Sequence, residues 1–343
     1  IRIYPYLQAQ AGHHEIHLQR IAAAENNMIG SIYLDIARRN GDKTQYAMRK
    51  RNWKWGSWRV RAWFKQLLSF TLILSRVQKS DQCMVSGNQI RLNRILRKGK
   101  MLCIPMDHGI SNGPIEGLTD PAATIYKCEG HGLTSVIINK GILKTLPKPP
   151  KIGVLVHFSG STSLSLSPNK KMLTGTVREA VAMGADGVSL HINIGGKEEP
   201  EMLEQLGMTT DQCHRWGMPL LAMMYPRGEN VKDPHDPKIV AHVARIGAEF
   251  GADIVKTVYT GDVDSFAEIV KNTPVPIVIA GGPKAKTDLD ILQMTEDVMA
   301  AGAKGVTYGR NIFAHKAPEK MVEALAEIIF RKGTAKEAMK KIE

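Results

Sequence analysis

A lysine stands fourth in Asp253-Ile254-Val255-Lys256-Thr257, a run that is otherwise of strand type. Side chains alternate along a strand, so Lys256 shares the face of Ile254 and points into an apolar interior. An ammonium buried in such a place is costly unless it is paired or neutralised, and a neutral amine is the form that attacks a ketone to give an imine. A lysine paired with a buried carboxylate fits the position equally well. Lys140 and Lys284 are rival nucleophiles, but both sit beside loop glycines, where an exposed contact to phosphate is the simpler role.

Imine chemistry needs one group to take a proton and one to give it. Asp107, in Pro105-Met106-Asp107-His108-Gly109, and Tyr225, in Met224-Tyr225-Pro226-Arg227-Gly228, each follow an apolar run and supply the two from distant parts of the chain. Their ordinary alternatives are an aspartate that caps a turn and a half-buried aromatic. Glycines in Ala280-Gly281-Gly282-Pro283-Lys284 and Tyr308-Gly309-Arg310-Asn311 let backbone N–H groups approach an anion closely, and Arg310 beside them favours a phosphorylated ligand. The Ser/Thr/Gly-rich loop that opens at His157 can add hydroxyl contacts. His108, His157 and His191 raise metal-assisted catalysis as a rival, but no compact ligand spacing such as His-Glu-x-x-His supports it. They are read as hydrogen-bonding groups, and no metal is expected.

What must position these residues is a set of eight short apolar runs: 101–105, 135–139, 152–158, 187–191, 219–224, 253–257, 276–280 and 305–308. They are continuous rather than alternating, as buried parallel strands are, and most are separated by stretches with helical spacing. That pattern over about 250 residues fits the (β/α)8 barrel, whose chemistry lies at the C-terminal strand ends. Gly184-Ala185-Asp186, Gly251-Ala252-Asp253 and Gly302-Ala303-Lys304 repeat one helix-to-strand junction, with glycine as the left-handed cap. The interval before Ile152 is short and proline-rich, so the second helix must be little more than a turn. An open doubly wound sheet would want an early glycine fingerprint, and none is present.

These motifs, with Ile110-Ser111-Asn112-Gly113-Pro114, Val258-Tyr259-Thr260-Gly261-Asp262 and Ile312-Phe313 extending them, resemble the archaeal-type class I aldolases. The resemblance runs in order from about Ile90 to the C-terminus. It is nearest to the transaldolase-like branch that makes 2-amino-3,7-dideoxy-D-threo-hept-6-ulosonate on a route to 3-dehydroquinate and aromatic amino acids. It implies Lys256 as the Schiff-base lysine, Asp107 as proton acceptor and Tyr225 as proton donor. Substrate contacts are implied at His108, Gly109, Ile110, Ser111, Pro226, Arg227, Gly281, Gly282, Gly309 and Arg310. The implied substrates are a phosphorylated ketose, its phosphate on the Gly281 and Gly309 loops, and L-aspartate 4-semialdehyde. The imine is the electron sink, so no cofactor is implied. The alternative, a fructose-bisphosphate aldolase, typically carries its acid tyrosine after the fourth strand; here that strand continues His191-Ile192-Asn193-Ile194-Gly195. The resemblance also implies a homo-oligomer, in relatives often a decamer.

The chain has 343 residues, 43% hydrophobic and 23% charged, the balance of a globular protein with a sizeable core. Nine of its net +13 charges fall in residues 1–83, where four of the five tryptophans also cluster, so the remaining 260 residues give little reason to expect a polyanion partner. Residues 1–83 could lie on an anionic membrane or grip single-stranded nucleic acid. The favoured reading is a non-family extension outside the native protein, which would start at Met84 and leave 84–343 as the barrel. No apolar run reaches the roughly 18 residues of a membrane helix. Four scattered cysteines without a C-x-x-C pair support neither disulfides nor zinc, and a reducing, cytoplasmic location is expected.

Overall fold

The computed structural model describes residues 86–343, and the basic stretch 1–83 lies outside the described residues. Strands β1 (Met101–Pro105), β2 (Ser135–Asn139) and β3 (Gly153–His157) are followed by a small antiparallel pair, β4 (Ser159–Gly160) and β5 (Met172–Leu173). Then come β6 (Gly187–Ile194), β7 (Leu220–Pro226), β8 (Ile254–Thr257), β9 (Ile277–Ala280) and β10 (Gly305–Thr307). All but β4 and β5 close into one parallel barrel in the order β1-β10-β9-β8-β7-β6-β3-β2. The eight barrel strands are the eight apolar runs.

Two boundaries differ by more than a residue, since β7 runs on past Met224 to Pro226 and β6 is longer still. β6 runs past His191 to Ile194, and pairs with β7 from Val188 opposite Leu220 to Ile194 opposite Pro226. His191 and, in the extension, Asn193 break the apolar run, while the hydrogen-bond ladder continues.

The helices are α1 (Gly87–Ile95), α2 (Gly109–Asn112), α3 (Pro121–Cys128), α4 (Lys140–Thr145), α5 (Val177–Ala182) and α6 (Glu199–Trp216). They continue as α7 (Pro237–Glu249), α8 (Val263–Lys271), α9 (Asp288–Ala300), α10 (Arg310–Phe313), α11 (Pro318–Arg331) and α12 (Ala335–Met339). α4, the second helix of the barrel repeat, is six residues long, as the proline-rich interval demands. Among the described residues no helix is long and apolar enough to cross a membrane.

Alternation divides the apolar side chains into two sets. Met101, Cys103, Ile137, Leu155, Leu221, Met223, Ile254 and Val278 form one buried cluster, while their strand neighbours join the helices in a larger one. The first is the barrel interior, a packed core. α1 closes its N-terminal end with Ile95, fully buried in that cluster. A Cβ at Gly153 would stand 2.8 Å from Ile95 Cα, so that strand start must be glycine, and one at Gly187 would stand 2.9 Å from Ile95 Cδ1 and displace that side chain. The repeated junctions serve the same contact. Asp186 accepts from Val154 N (3.0 Å) and pairs with Arg94 Nε (2.8 Å). Asp253 accepts from Leu220 N (2.8 Å) and from Asn88 Nδ2 (3.0 Å). Each aspartate thus ties a strand start to α1, leaving the C-terminal end of the barrel open.

Candidate active site

Lys256 is buried in β8, beside Met223 in the register with β7. Its Nζ has one hydrogen-bond-range neighbour, Met223 Sδ at 3.9 Å, a weak acceptor. It forms no ion pair among the described residues, so the reading as a structural salt-bridge lysine is not what the fold contains. The rival lysines are elsewhere and occupied. Lys140 pairs with Glu179 at 3.0 Å, and Lys284 lies exposed, donating to Ala314 O at 2.7 Å.

Asp107 follows β1 on the interior side. One carboxylate oxygen is 3.8 Å from His108 Nδ1 and the other 3.7 Å from His157 Nε2. Burial opposes charge on Asp107, but the neighbouring His157, His108 and Lys256, with a backbone N–H, outweigh it and hold the carboxyl well below its usual range. His157 is itself buried, bonded through Nδ1 to Ser189 Oγ at 2.9 Å, and burial pulls its imidazole down despite Asp107. Desolvation pulls His108 down in the same way. The short helix α2 has His108 as its cap residue with no side-chain cap bond, so Asp107 is not a turn-capping aspartate.

Tyr225, half-buried near the end of β7, meets His191 edge to face with ring centroids 4.8 Å apart, and Arg227 stands 5.8 Å from its ring centre. His191 Nε2 is 2.8 Å from Asn193 Oδ1. Burial, then the cations Lys171 and Arg227, hold the His191 imidazole well below its ordinary value. Asp107 and Tyr225 therefore reach the mouth from β1 and β7, and Lys256 from β8.

The glycine loops meet as the barrel order requires. Gly309 caps α10, and Arg310 Nη2 donates to Gly282 O at 2.9 Å. A Cβ on Gly281 would lie 2.7 Å from the Tyr308 ring, and one on Gly309 would lie 2.8 Å from His108 Cε1. Asn311 holds the loop. Its buried amide donates to Gly281 O (3.1 Å) and Pro283 O (3.2 Å) and accepts from Ala285 N (2.7 Å). Sequence reasoning quoted Asn311 beside Arg310 but gave it no role.

Ser111 is engaged in loop structure: its Oγ donates to Ser161 O at 2.9 Å, and its carbonyl accepts from Ser163 N at 3.0 Å. Gly109 and Ile110, with Met106 and Lys140, line a 480 Å³ cavity beside the mouth rather than over Lys256. Pro226 is buried as the last residue of β7, and Arg227 is exposed beyond it. Lys171, in the loop before β5, is buried near these groups and was missed, because nothing periodic in that serine-rich segment marks it. Among the described residues no group of three or more His, Cys, Asp or Glu side chains is placed to hold a metal ion.

A (β/α)8 barrel with a buried, unpaired lysine on its sixth barrel strand is the frame of a Schiff-base aldolase. Residues 101–315 match the DeoC/LacD family aldolases, and the chain belongs to that family. It is an enzyme of the class I, imine-forming kind. A Halobacterium salinarum protein named 2-amino-3,7-dideoxy-D-threo-hept-6-ulosonate synthase is 42% identical over 245 residues, 71% of this chain and 92% of that protein. A Streptomyces griseus 2-amino-4,5-dihydroxy-6-oxo-7-(phosphonooxy)heptanoate synthase is 37% identical over 252 residues, covering 72% and 92%. Among solved structures, an archaeal fructose-1,6-bisphosphate aldolase matches with a TM-score of 0.67 and 32% identity over 71% of this chain and 99% of that one. In that structure the catalytic lysine is covalently bound to the carbinolamine intermediate of the substrate.

Proposed function

We propose that this enzyme joins an enamine derived from a phosphorylated ketose to L-aspartate 4-semialdehyde, giving 2-amino-3,7-dideoxy-D-threo-hept-6-ulosonate. The observation that carries the reading is the unpaired Lys256 amine with Asp107 and Tyr225 at the same mouth. The names of the relatives from Halobacterium salinarum and Streptomyces griseus support the product class. Fructose-bisphosphate aldolase, named for the solved structures, is the alternative. Tyr225 favours the synthase, since it places an acid at the end of β7 while β6 offers His191 and Asn193 instead of a tyrosine.

In this mechanism the Lys256 amine attacks the C2 ketone of 1-deoxy-D-threo-hexo-2,5-diulose 6-phosphate, and water leaves as the imine forms. Asp107, an ionised carboxylate, takes the proton of the C4 hydroxyl; the C3–C4 bond breaks and its electron pair enters the iminium as an enamine. Hydroxypyruvaldehyde phosphate departs. The enamine carbon then bonds to the aldehyde carbon of aspartate semialdehyde, Tyr225 supplies the proton to the new alkoxide, and water hydrolyses the imine. His108 to Ser111, Pro226 and Arg227, Gly281 and Gly282, and Gly309 and Arg310 surround the substrates.

The test offers the purified enzyme the diulose phosphate with aspartate semialdehyde, and separately fructose 1,6-bisphosphate. Formation of the amino-heptulosonate is expected. Efficient cleavage of fructose bisphosphate with no use of the diulose would replace the synthase by the aldolase. The same reading carries a cytoplasmic homo-oligomer without nucleic-acid or membrane partners. Buried, free Cys103, Cys128 and Cys213, whose thiols burial pushes up to about 12, fit a reducing compartment.

A further inference from the structure

Charge at the barrel mouth is unbalanced. Lys171 is buried, and its Nζ donates to Ser161 Oγ and to Pro168 O (3.2 Å). Neither it nor Arg227 forms an ion pair among the described residues. The two are held to one side of the mouth. Asn169, two residues before Lys171, accepts from Asn193 Nδ2 at 2.7 Å, and Asn193 is opposite Tyr225 in the β6–β7 register. Arg227 N donates to Ile194 O at 2.9 Å, and its guanidinium stands over the Tyr225 ring. Burial, then the charge of Arg227, lower the Lys171 amine below its ordinary value, with Asp107 opposing more weakly. A buried ammonium and an exposed guanidinium of like charge, with no counter-ion paired to either, are a poor device for stability and a good one for attracting an anion.

Arg310 and the glycine loops form a different cationic pole, after β9 and β10. In the barrel order β8 lies between β7 and β9, so Lys256 separates the two poles. Tyr225, the proposed donor to the aldehyde oxygen, is on the Lys171 side. The bond that breaks or forms joins the enamine carbon to the aldehyde carbon. Anything charged on the aldehyde fragment therefore lies across that bond, toward Tyr225.

We propose that Lys171 and Arg227 form a second anion site, on the aldehyde side of Lys256, which holds the phosphate of the departing aldehyde and then the carboxylate of the incoming one. This rests on the function proposed above. With the imine at C2 and the C3–C4 bond cleaved, the 6-phosphate of the diulose leaves with the aldehyde, and the carboxylate of aspartate semialdehyde arrives in the same place. The diulose phosphate thus belongs at this pole rather than on the Gly281 and Gly309 loops. Those loops suit a phosphate on the enamine fragment, the position that the 7-phosphonooxy group occupies in the name of the Streptomyces griseus relative.

The experiment uses hydroxyacetone, uncharged on both sides, as enamine donor and compares aspartate semialdehyde, glyceraldehyde 3-phosphate and uncharged glyceraldehyde as acceptors. Lys171→Gln is expected to raise KM for both anionic aldehydes at least tenfold, leave glyceraldehyde unchanged and still permit borohydride trapping of hydroxyacetone. Lys171→Arg, which keeps the charge, is expected to retain the preference. Values of KM within threefold of the parent for both anions, or a loss confined to one of them, would overturn the shared site. Lys171→Met makes the same prediction should Lys171→Gln fail to fold. A parent that uses the phosphorylated aldehyde but never aspartate semialdehyde would sink the synthase reading, while the Lys171 comparison on the phosphate would still decide whether the anion site exists.

Discussion

Lys256 Nζ lies 3.9 Å from Met223 Sδ, one strand away in the barrel, and a thioether neither neutralises nor strongly solvates an amine. The interior therefore leaves the nitrogen free to bond to carbon. Around it, Asp107 comes from β1 and Tyr225 from β7, so the two proton carriers do not share an element and are positioned only by closure of the barrel.

Tyr225→Phe removes the proposed proton donor and leaves Lys256 and the glycine loops untouched. Imine trapping is expected to persist, while condensation with aspartate semialdehyde drops by about 10²- to 10⁴-fold, the usual range for general acid catalysis. Steady-state rates within a few-fold of the parent would mean that another group supplies the proton.

Asn311→Ala leaves the carbonyls of Gly281 and Pro283 and the amide of Ala285 without their partner. Denaturant titration is expected to show a loss of about 0.5–1.5 kcal/mol, the usual net worth of a hydrogen bond whose part-buried partners can turn to water instead. KM for the donor should rise as the loop loosens. Unchanged stability and KM would show that the loop holds its shape without Asn311.

Stability should fall with acid in a defined window. His157 and His191 have imidazoles held below their ordinary value, chiefly by burial. The unfolded chain takes up these protons near pH 6.5 and the folded chain only at lower pH, so their contribution is complete above about pH 6.5 and declines below it. Asp107 is depressed instead, so its contribution holds above about pH 4 and is lost only in stronger acid. Unfolding midpoints from pH 8 to 5 should drop, and His191→Gln should flatten the slope. A slope equal to that of the parent would assign the acid sensitivity to other groups.

A chain beginning at Met84 is expected to fold and turn over, because all eight barrel strands and α1 lie downstream. Loss of activity on truncation, or salt-dependent binding of the full chain to anionic vesicles or single-stranded nucleic acid, would give residues 1–83 a working role.

The barrel was legible because its eight strands are continuous apolar runs, most of them separated by stretches of helical spacing, and the inward direction of Lys256 followed from strand alternation with Ile254. β6 was cut short at His191 because the polar His191 and Asn193 interrupt its apolar run, although Ile192 and Ile194 between and after them are buried. α1 was not foreseen, since of its apolar residues Ile90, Leu92 and Ile95 only Ile95 is fully buried. Lys171 was invisible for a different reason: its place depends on Asn169 meeting Asn193 across the fold, a contact that no local pattern encodes.

The most direct test is covalent trapping. The enzyme is incubated with the diulose phosphate and reduced with borohydride, and its peptides are analysed by mass. The imine mechanism predicts a stable adduct on the peptide containing Lys256, at that side chain, and none in Lys256→Met. An adduct on Lys140 or Lys284, or no adduct in an enzyme that still turns the substrate over, would contradict it.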